Sequence, residues 1–178
     1  IGVLGDGRGI ISSHDLTQND IACLVAPLGK AFHGMGAIVA GKKTAIDELV
    51  QSARSYHYST ALPPALCCAM IQTLKIIQQD TWRREKLMEN IVAAQAAAKK
   101  YDINLLTDNK TPIVSIIIGD NKKTQLVKKE LLARGFFVSA IRPPTVEKGS
   151  ARLRLSINSS HEKVEINQLM QIVSEKIK

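Results

Sequence analysis

Between positions 24 and 40 the chain reads LVAPLGKAFHGMGAIVA, and this stretch constrains the fold more than any other. An apolar run leads into Gly29-Lys30, and a turn bearing Gly34 and Gly36 leads back into Ala37-Ile38-Val39-Ala40. Short apolar runs bounded by glycines read as buried strands, so the pattern predicts two short strands joined by a tight connection. That connection holds one amine, the side chain of Lys30, above a rigid floor. An apolar setting disfavours the charged form of a lysine and frees the neutral amine that Schiff-base chemistry needs. The competing reading of the same pattern is an ordinary solvated lysine beside a turn.

Composition narrows the classes of function. With 178 residues, 45% hydrophobic and 22% charged, the chain suits one good core or two small ones of a soluble globular protein. No apolar run is long enough to span a bilayer, and Ile1-Gly2-Val3-Leu4-Gly5 lacks the basic stretch of a signal peptide. Cys23, Cys67 and Cys68 have neither metal-ligand spacing nor a disulfide pattern, so they are expected to be small core residues in a reducing cytoplasm. The net charge of +8 favours anionic partners. The lysines are scattered, however, and aromatics make up only 4%, which speaks against a nucleic-acid surface and for a phosphorylated small molecule such as a cofactor or coenzyme A.

The chain opens inside a glycine-rich run, Gly2-Val3-Leu4-Gly5-Asp6-Gly7-Arg8-Gly9, with no initiator methionine, and is expected to be the remainder of a longer polypeptide. The run matches neither glycine-rich nucleotide-binding pattern and reads as a sharply bent surface connection. Beyond the Lys30 stretch, 43–55 has helical spacing with Ile46, Leu49, Val50 and Ala53 on one stripe. Pro63 or Pro64 starts the next helix, because proline suits a first turn. Ser59 and Thr60 lie just ahead of it, where hydroxyls and free N–H groups either hold a phosphate or cap the helix. Helices over 65–79 and 82–100 flank a break at Asp80-Thr81, which sets the expected domain boundary.

The remainder reads as a small α/β unit: a strand at 112–118, a helix at 124–134 stopped by Gly135, and strands at 136–141 and 151–157. Arg142-Pro143-Pro144-Thr145-Val146 is a rigid turn. In the last strand Leu153, Leu155 and Ile157 face one way and Arg152, Arg154 and Ser156 the other. A surface strand explains that alternation, and so does a guanidinium clamp on a carboxylate. Ser159-Ser160-His161-Glu162 reads as a capping box, with His161 part of the helix entry, before a final helix whose stripe is Ile166, Leu169, Met170, Val173 and Ile177.

GVLGDGRG, LGKAF, STALPPA and AIRPPTVEKGSARLRLSI stand here in the order and approximate spacing found in the α-oxoamine synthases, which the chain resembles over essentially its whole length. These are pyridoxal-phosphate enzymes that condense an amino acid with an acyl thioester and release carbon dioxide. IRPPTV followed by ARLRL is the wording of the members that serve biotin synthesis, in which L-alanine meets a pimeloyl thioester on coenzyme A or a carrier protein. The resemblance implies an α/β architecture of the fold-type-I PLP-dependent transferases (aspartate-aminotransferase-like). Residues 1–80 would be the C-terminal part of a truncated large domain with its linking helix, and 81–178 the C-terminal small α/β domain. It implies pyridoxal 5'-phosphate as cofactor, Lys30 as the amine that forms the Schiff base, and a homodimer in which Ser59 and Thr60 reach the cofactor phosphate of the neighbouring subunit. It makes Thr145 a substrate contact and Arg154 the grip on the amino-acid carboxylate, preferred to Arg152 because the motif places the clamp second in RLR.

The chain also departs from that pattern. Pro27 stands where the family has a threonine, and proline offers neither hydroxyl nor N–H. His33 stands where the family has glycine, which leaves three readings open: it crowds the turn, it finds a partner there, or Gly34 compensates by a shift of one position. The family's aspartate at the pyridine nitrogen and its histidine against the ring fall ahead of Ile1, so this chain alone is expected to be inactive without an upstream half. Two further readings stay open: a sister synthase of the glycine C-acetyltransferase or serine palmitoyltransferase kind, and a non-catalytic remnant or binding module.

Overall fold

The apolar residues collect in two places. The computed structural model describes residues 1–107 and 110–177, and the chain divides into two compact units, Ile1–Arg84 and Glu85–Lys178. No helix among the described residues is long and apolar enough to cross a membrane.

The first unit opens with hydrogen-bonded glycine turns and a single helical turn, α1 (Ile10–Ser13). Strands β1 (Cys23–Pro27) and β2 (Ala37–Gly41) form an antiparallel hairpin with Cys23 opposite Gly41 and Pro27 opposite Ala37. Helices α2 (Lys43–Ser52), α3 (Arg54–His57) and α4 (Pro64–Gln79) follow, and extended backbone at Ala53 splits the single helix expected over 43–55. Pro64 opens α4, where its missing N–H costs no helical hydrogen bond. The core is small: Leu28, Phe32 and Met70, with Leu62, Leu66, Cys67 and Ile77 packed on it.

That economy overturns three expectations. The hairpin strands are not buried, since every residue of β2 is exposed and β1 buries only Ala26. The stripe of α2 is not a core stripe, because no α2 residue is buried and Leu49 and Val50 are exposed. Cys23 and Cys68 are exposed and Cys67 half-buried, so the cysteines are not core residues. The cause is common to all three. A two-stranded ribbon buries a face only where another layer covers it, and within this unit the core lies under the hairpin connection instead of under the strands.

Helix α5 (Thr81–Lys100) runs into the second unit, followed by β3 (Ile113–Gly119), α6 (Asn121–Ala133), β4 (Ser139–Ile141), β5 (Ala151–Ser156) and α7 (Lys163–Ile177). The three strands form an antiparallel sheet in the order β3-β5-β4. The alternation read from the sequence places Leu153 and Leu155 inward from the central strand, against Ile91 and Ala94 of α5, Leu131 of α6 and Met170 of α7. Strand β4 starts later than expected because Gly135, at φ +86°, closes α6 with a paired motif: its N–H donates to Leu132 O at 3.0 Å and that of Phe136 to Leu131 O at 2.9 Å.

The entry to α7 also differs from the expected capping box. Asn158 Oδ1 accepts the Ser160 N–H at 2.8 Å, and the helix is capped three residues further on, where Glu165 accepts the Glu162 N–H at 2.9 Å. Asn90 of α5 holds this turn from beneath. It is fully buried, and its Nδ2 donates to Asn158 O at 3.0 Å and His161 O at 2.7 Å. Lys163 adds an ion pair to Glu89 at 2.9 Å. The hydrogen bond from Lys163, and then its charge, hold the Glu89 carboxyl below its usual range. The folded value lies below the unfolded one, so this contribution is present above the ordinary carboxylate range and fades as the pH falls through the folded value. With both ends more than half exposed, the pair contributes little.

Asn90→Leu keeps the volume but strips the Asn158 and His161 carbonyls of their buried donor. It should lower stability by about 2–3 kcal/mol in denaturant unfolding followed by circular dichroism. An unchanged midpoint would show that the α5-to-turn link is dispensable.

Candidate active site

Three backbone hydrogen bonds shape the connection between β1 and β2. Leu28 N–H donates to Gly36 O at 3.0 Å, Gly34 N–H to Leu28 O at 2.9 Å, and His33 N–H to Lys30 O at 3.0 Å. Lys30 therefore begins a tight turn whose flanks, Leu28 and Phe32, are both buried against Met70. Of the readings left open for His33, the shift to Gly34 is not the one taken. His33 itself takes the left-handed backbone, at φ +47°, and its side chain is exposed. Gly34 is needed for space instead, because a Cβ there would sit 2.3 Å from Met70 Sδ.

Lys30 lines a cavity of about 270 Å³. Leu4, Ile10, Val25 and Phe32 supply apolar wall, and Arg8 of the glycine run supplies a second cation. Lys30 is exposed, so the burial expected around its amine is absent, for the same reason that leaves the strands beside it uncovered. Arg8 is the residue that sequence reasoning passed over. Its signal was there, as the one charged long side chain in a run otherwise built for tight turns.

Ser59 and Thr60 are exposed and lie between α3 and α4. Neither caps α4, whose N-cap Pro63 receives no side-chain bond, and the Ser59 hydroxyl donates back to Ser55 O at the end of α3. The lining of the Lys30 cavity includes neither of them. In the second unit Thr145 is exposed, and its N–H donates to Arg142 O at 2.9 Å across a turn centred on a cis Pro143–Pro144 bond. Arg154 lies on the outward face of β5, opposite Ser115 on β3 and Ser139 on β4. It makes no ion pair among the described residues. Arg152 is half-buried, and its Nε is already engaged with Ser150 O at 2.9 Å.

The profile of the family "Aminotransferase class I and II" matches residues 2–173. The chain belongs to that family. It is 38% identical to the 8-amino-7-oxononanoate synthase of Saccharophagus degradans over 175 residues, which are 98% of this chain and 44% of that protein. To the enzyme of the same name from Pseudomonas putida strain F1 it is 40% identical over 176 residues, 98% of this chain and 45% of that one. Among solved structures, the 8-amino-7-oxononanoate synthase of Francisella tularensis superposes with a TM-score of 0.91 at 33% identity, covering 99% of this chain and 52% of that one. A serine palmitoyltransferase of S. paucimobilis shares the fold, with a TM-score of 0.88 at 22% identity over 99% of this chain and 44% of that one. The chain spans about half the length of the curated relatives it matches.

The expected fold-type-I architecture is therefore correct, and pyridoxal 5'-phosphate is the cofactor of this family. The donor set suits such a group. An exposed amine and a guanidinium line one apolar-walled cavity that no carboxylate among the described residues lines, which favours an anionic aldehyde.

Gly34→Ala should lower the stability of the chain by about 1–3 kcal/mol, the usual range for overpacking. Adding Met70→Ala should recover part of that loss. A double-mutant cycle by denaturant unfolding measures the coupling, and strict additivity would show that the Cβ meets no obstacle.

Proposed function

We propose that the chain carries the lysine-bearing part of an 8-amino-7-oxononanoate synthase, joining L-alanine to a pimeloyl thioester with loss of carbon dioxide in biotin biosynthesis. The observation that carries this reading is the Lys30 turn. The Lys30 backbone is held between two buried anchors and its side chain lines a cationic cavity, in a chain 38–40% identical to synthases of that name.

Pyridoxal 5'-phosphate, when bound, supplies an aldehyde for an amine and a ring that withdraws electrons from the substrate Cα. In this reading Lys30 Nζ holds the cofactor and then accepts the Cα proton of L-alanine. Arg154, free of ion pairs among the described residues, grips the alanine carboxylate through two parallel N–H donors, and Thr145 contacts the substrate from the neighbouring turn. Loosening of the Arg154 grip favours the later release of that carboxylate as carbon dioxide. Ser59 and Thr60 bind the cofactor phosphate of a neighbouring subunit, which makes the working form a homodimer with shared active sites, and its place is the cytoplasm. Pro27 offers neither hydroxyl nor N–H, which leaves Arg8 as the second cation in the Lys30 cavity for an anionic group.

The reading assigns 1–80 to the large cofactor-binding domain and 81–178 to the small one. It also requires an N-terminal half to supply the aspartate for the pyridine nitrogen. The open apolar faces of β1, β2 and α2 support that requirement, since uncovered surface of this kind marks a place where another layer packs.

Borohydride reduction followed by peptide mapping of the reconstituted protein should place the cofactor on Lys30 and on no other lysine. With pimeloyl, acetyl and palmitoyl thioesters offered in turn, pimeloyl should be consumed preferentially. Arg154→Ala should lower kcat/KM for L-alanine on the order of a hundredfold or more, the effect of unpairing a bound carboxylate. Cofactor on another lysine would overturn the assignment of Lys30, and a preference for acetyl or palmitoyl would move the chain to a sister reaction.

A further inference from the structure

We propose that the outward face of α6 is a docking surface for an acidic amphipathic helix of a partner protein. The core side of α6 is Thr124, Val127 and Leu131, all fully or almost fully buried. The opposite side presents Lys122, Leu126 and Lys129, spaced at one and two turns. Leu126 is 67% exposed and Leu132 53%, so this helix places two leucines where packing asks for none. A shallow groove beside them is lined by these residues together with Lys128 and Arg142, the residue after β4, and no acid among the described residues lines it.

The cations of this groove are unpaired. Among the described residues Lys122, Lys128, Lys129 and Arg142 take part in no ion pair. The one acid of the same helix, Glu130, is already held by Arg134 at 2.8 Å and Lys176 at 3.7 Å. Solvated lysines alone are ordinary; lysines framing exposed leucines are not.

The combination selects one class of partner. A nucleic-acid strand would use the cations and ignore the leucines, and the groove has no aromatic ring for bases to stack on. Insertion into a lipid surface asks for a broad apolar face, whereas here two leucines stand among four cations. A second copy presenting the same face would meet it with like charge. A helix with an apolar stripe flanked by carboxylates satisfies both features, burying the leucines at the centre and pairing the cations at the rim. The net charge of +8 would speed its approach. This inference goes beyond the proposed reaction and does not depend on Lys30.

The test uses the full chain and a fluorescent helical peptide with leucines on one face and glutamates on its flanks, read by anisotropy. Binding should weaken with added salt, and at least tenfold in the double variant Lys122→Glu, Lys129→Glu. Leu126→Ser should weaken it by a similar factor, with circular dichroism showing that each variant keeps its helices. A peptide with the same leucines and lysine flanks should not bind. No binding of the acidic peptide, or binding indifferent to either variant, overturns the proposal. So does preferential binding of phosphatidylserine vesicles or of a single-stranded oligonucleotide. Concentration-dependent self-association that Leu126→Ser abolishes would give the face to a second copy and overturn it equally.

Discussion

The burial of Leu28 and Phe32 on either side of Lys30 is the constraint from which the first unit takes its form. Both side chains pack with Met70, whose own side chain also fills the space a Cβ at position 34 would need. The strands that lead in and out are exposed, so the hairpin is held by its connection and not by its length. A flexible side chain gains little from a flexible base, and here the base is fixed by packing on both flanks.

The two units differ in how fully they close. In the second, α5, α6 and α7 cover one face of a three-stranded sheet, and its inward leucines are sealed. In the first, apolar side chains such as Val25, Ile38 and Ile71 remain more than half exposed beside a small core.

How far this was legible in the sequence depended on where each signal resided. Helices with clear periodicity and the alternating strand at 151–156 were readable, because each reports its own core face locally. Burial of the hairpin, of the α2 stripe and of the cysteines was not readable, since apolar pattern shows what a segment can bury and not what is present to cover it. The caps were misplaced for a related reason. Asn158 takes the Ser160 N–H, the Glu162 N–H that a cap at Ser159 would have used goes to Glu165, and Gly135 and the residue after it are used to close α6. Of the candidate site, Lys30 stood out through its glycine context, whereas Arg8 became visible only when the fold set it in the same cavity.

The central strand of the small sheet links two tasks that other strands keep apart. Leu153 and Leu155 point into the core while Arg154, between them, points out, and both neighbouring strands fix that order. Sliding β5 by a single residue would drive a guanidinium into the densest part of the interior and strand two leucines in water. The aim of that guanidinium is thus under the guard of the hydrophobic packing itself. As long as the register with both neighbours holds, the position stays on the outward face.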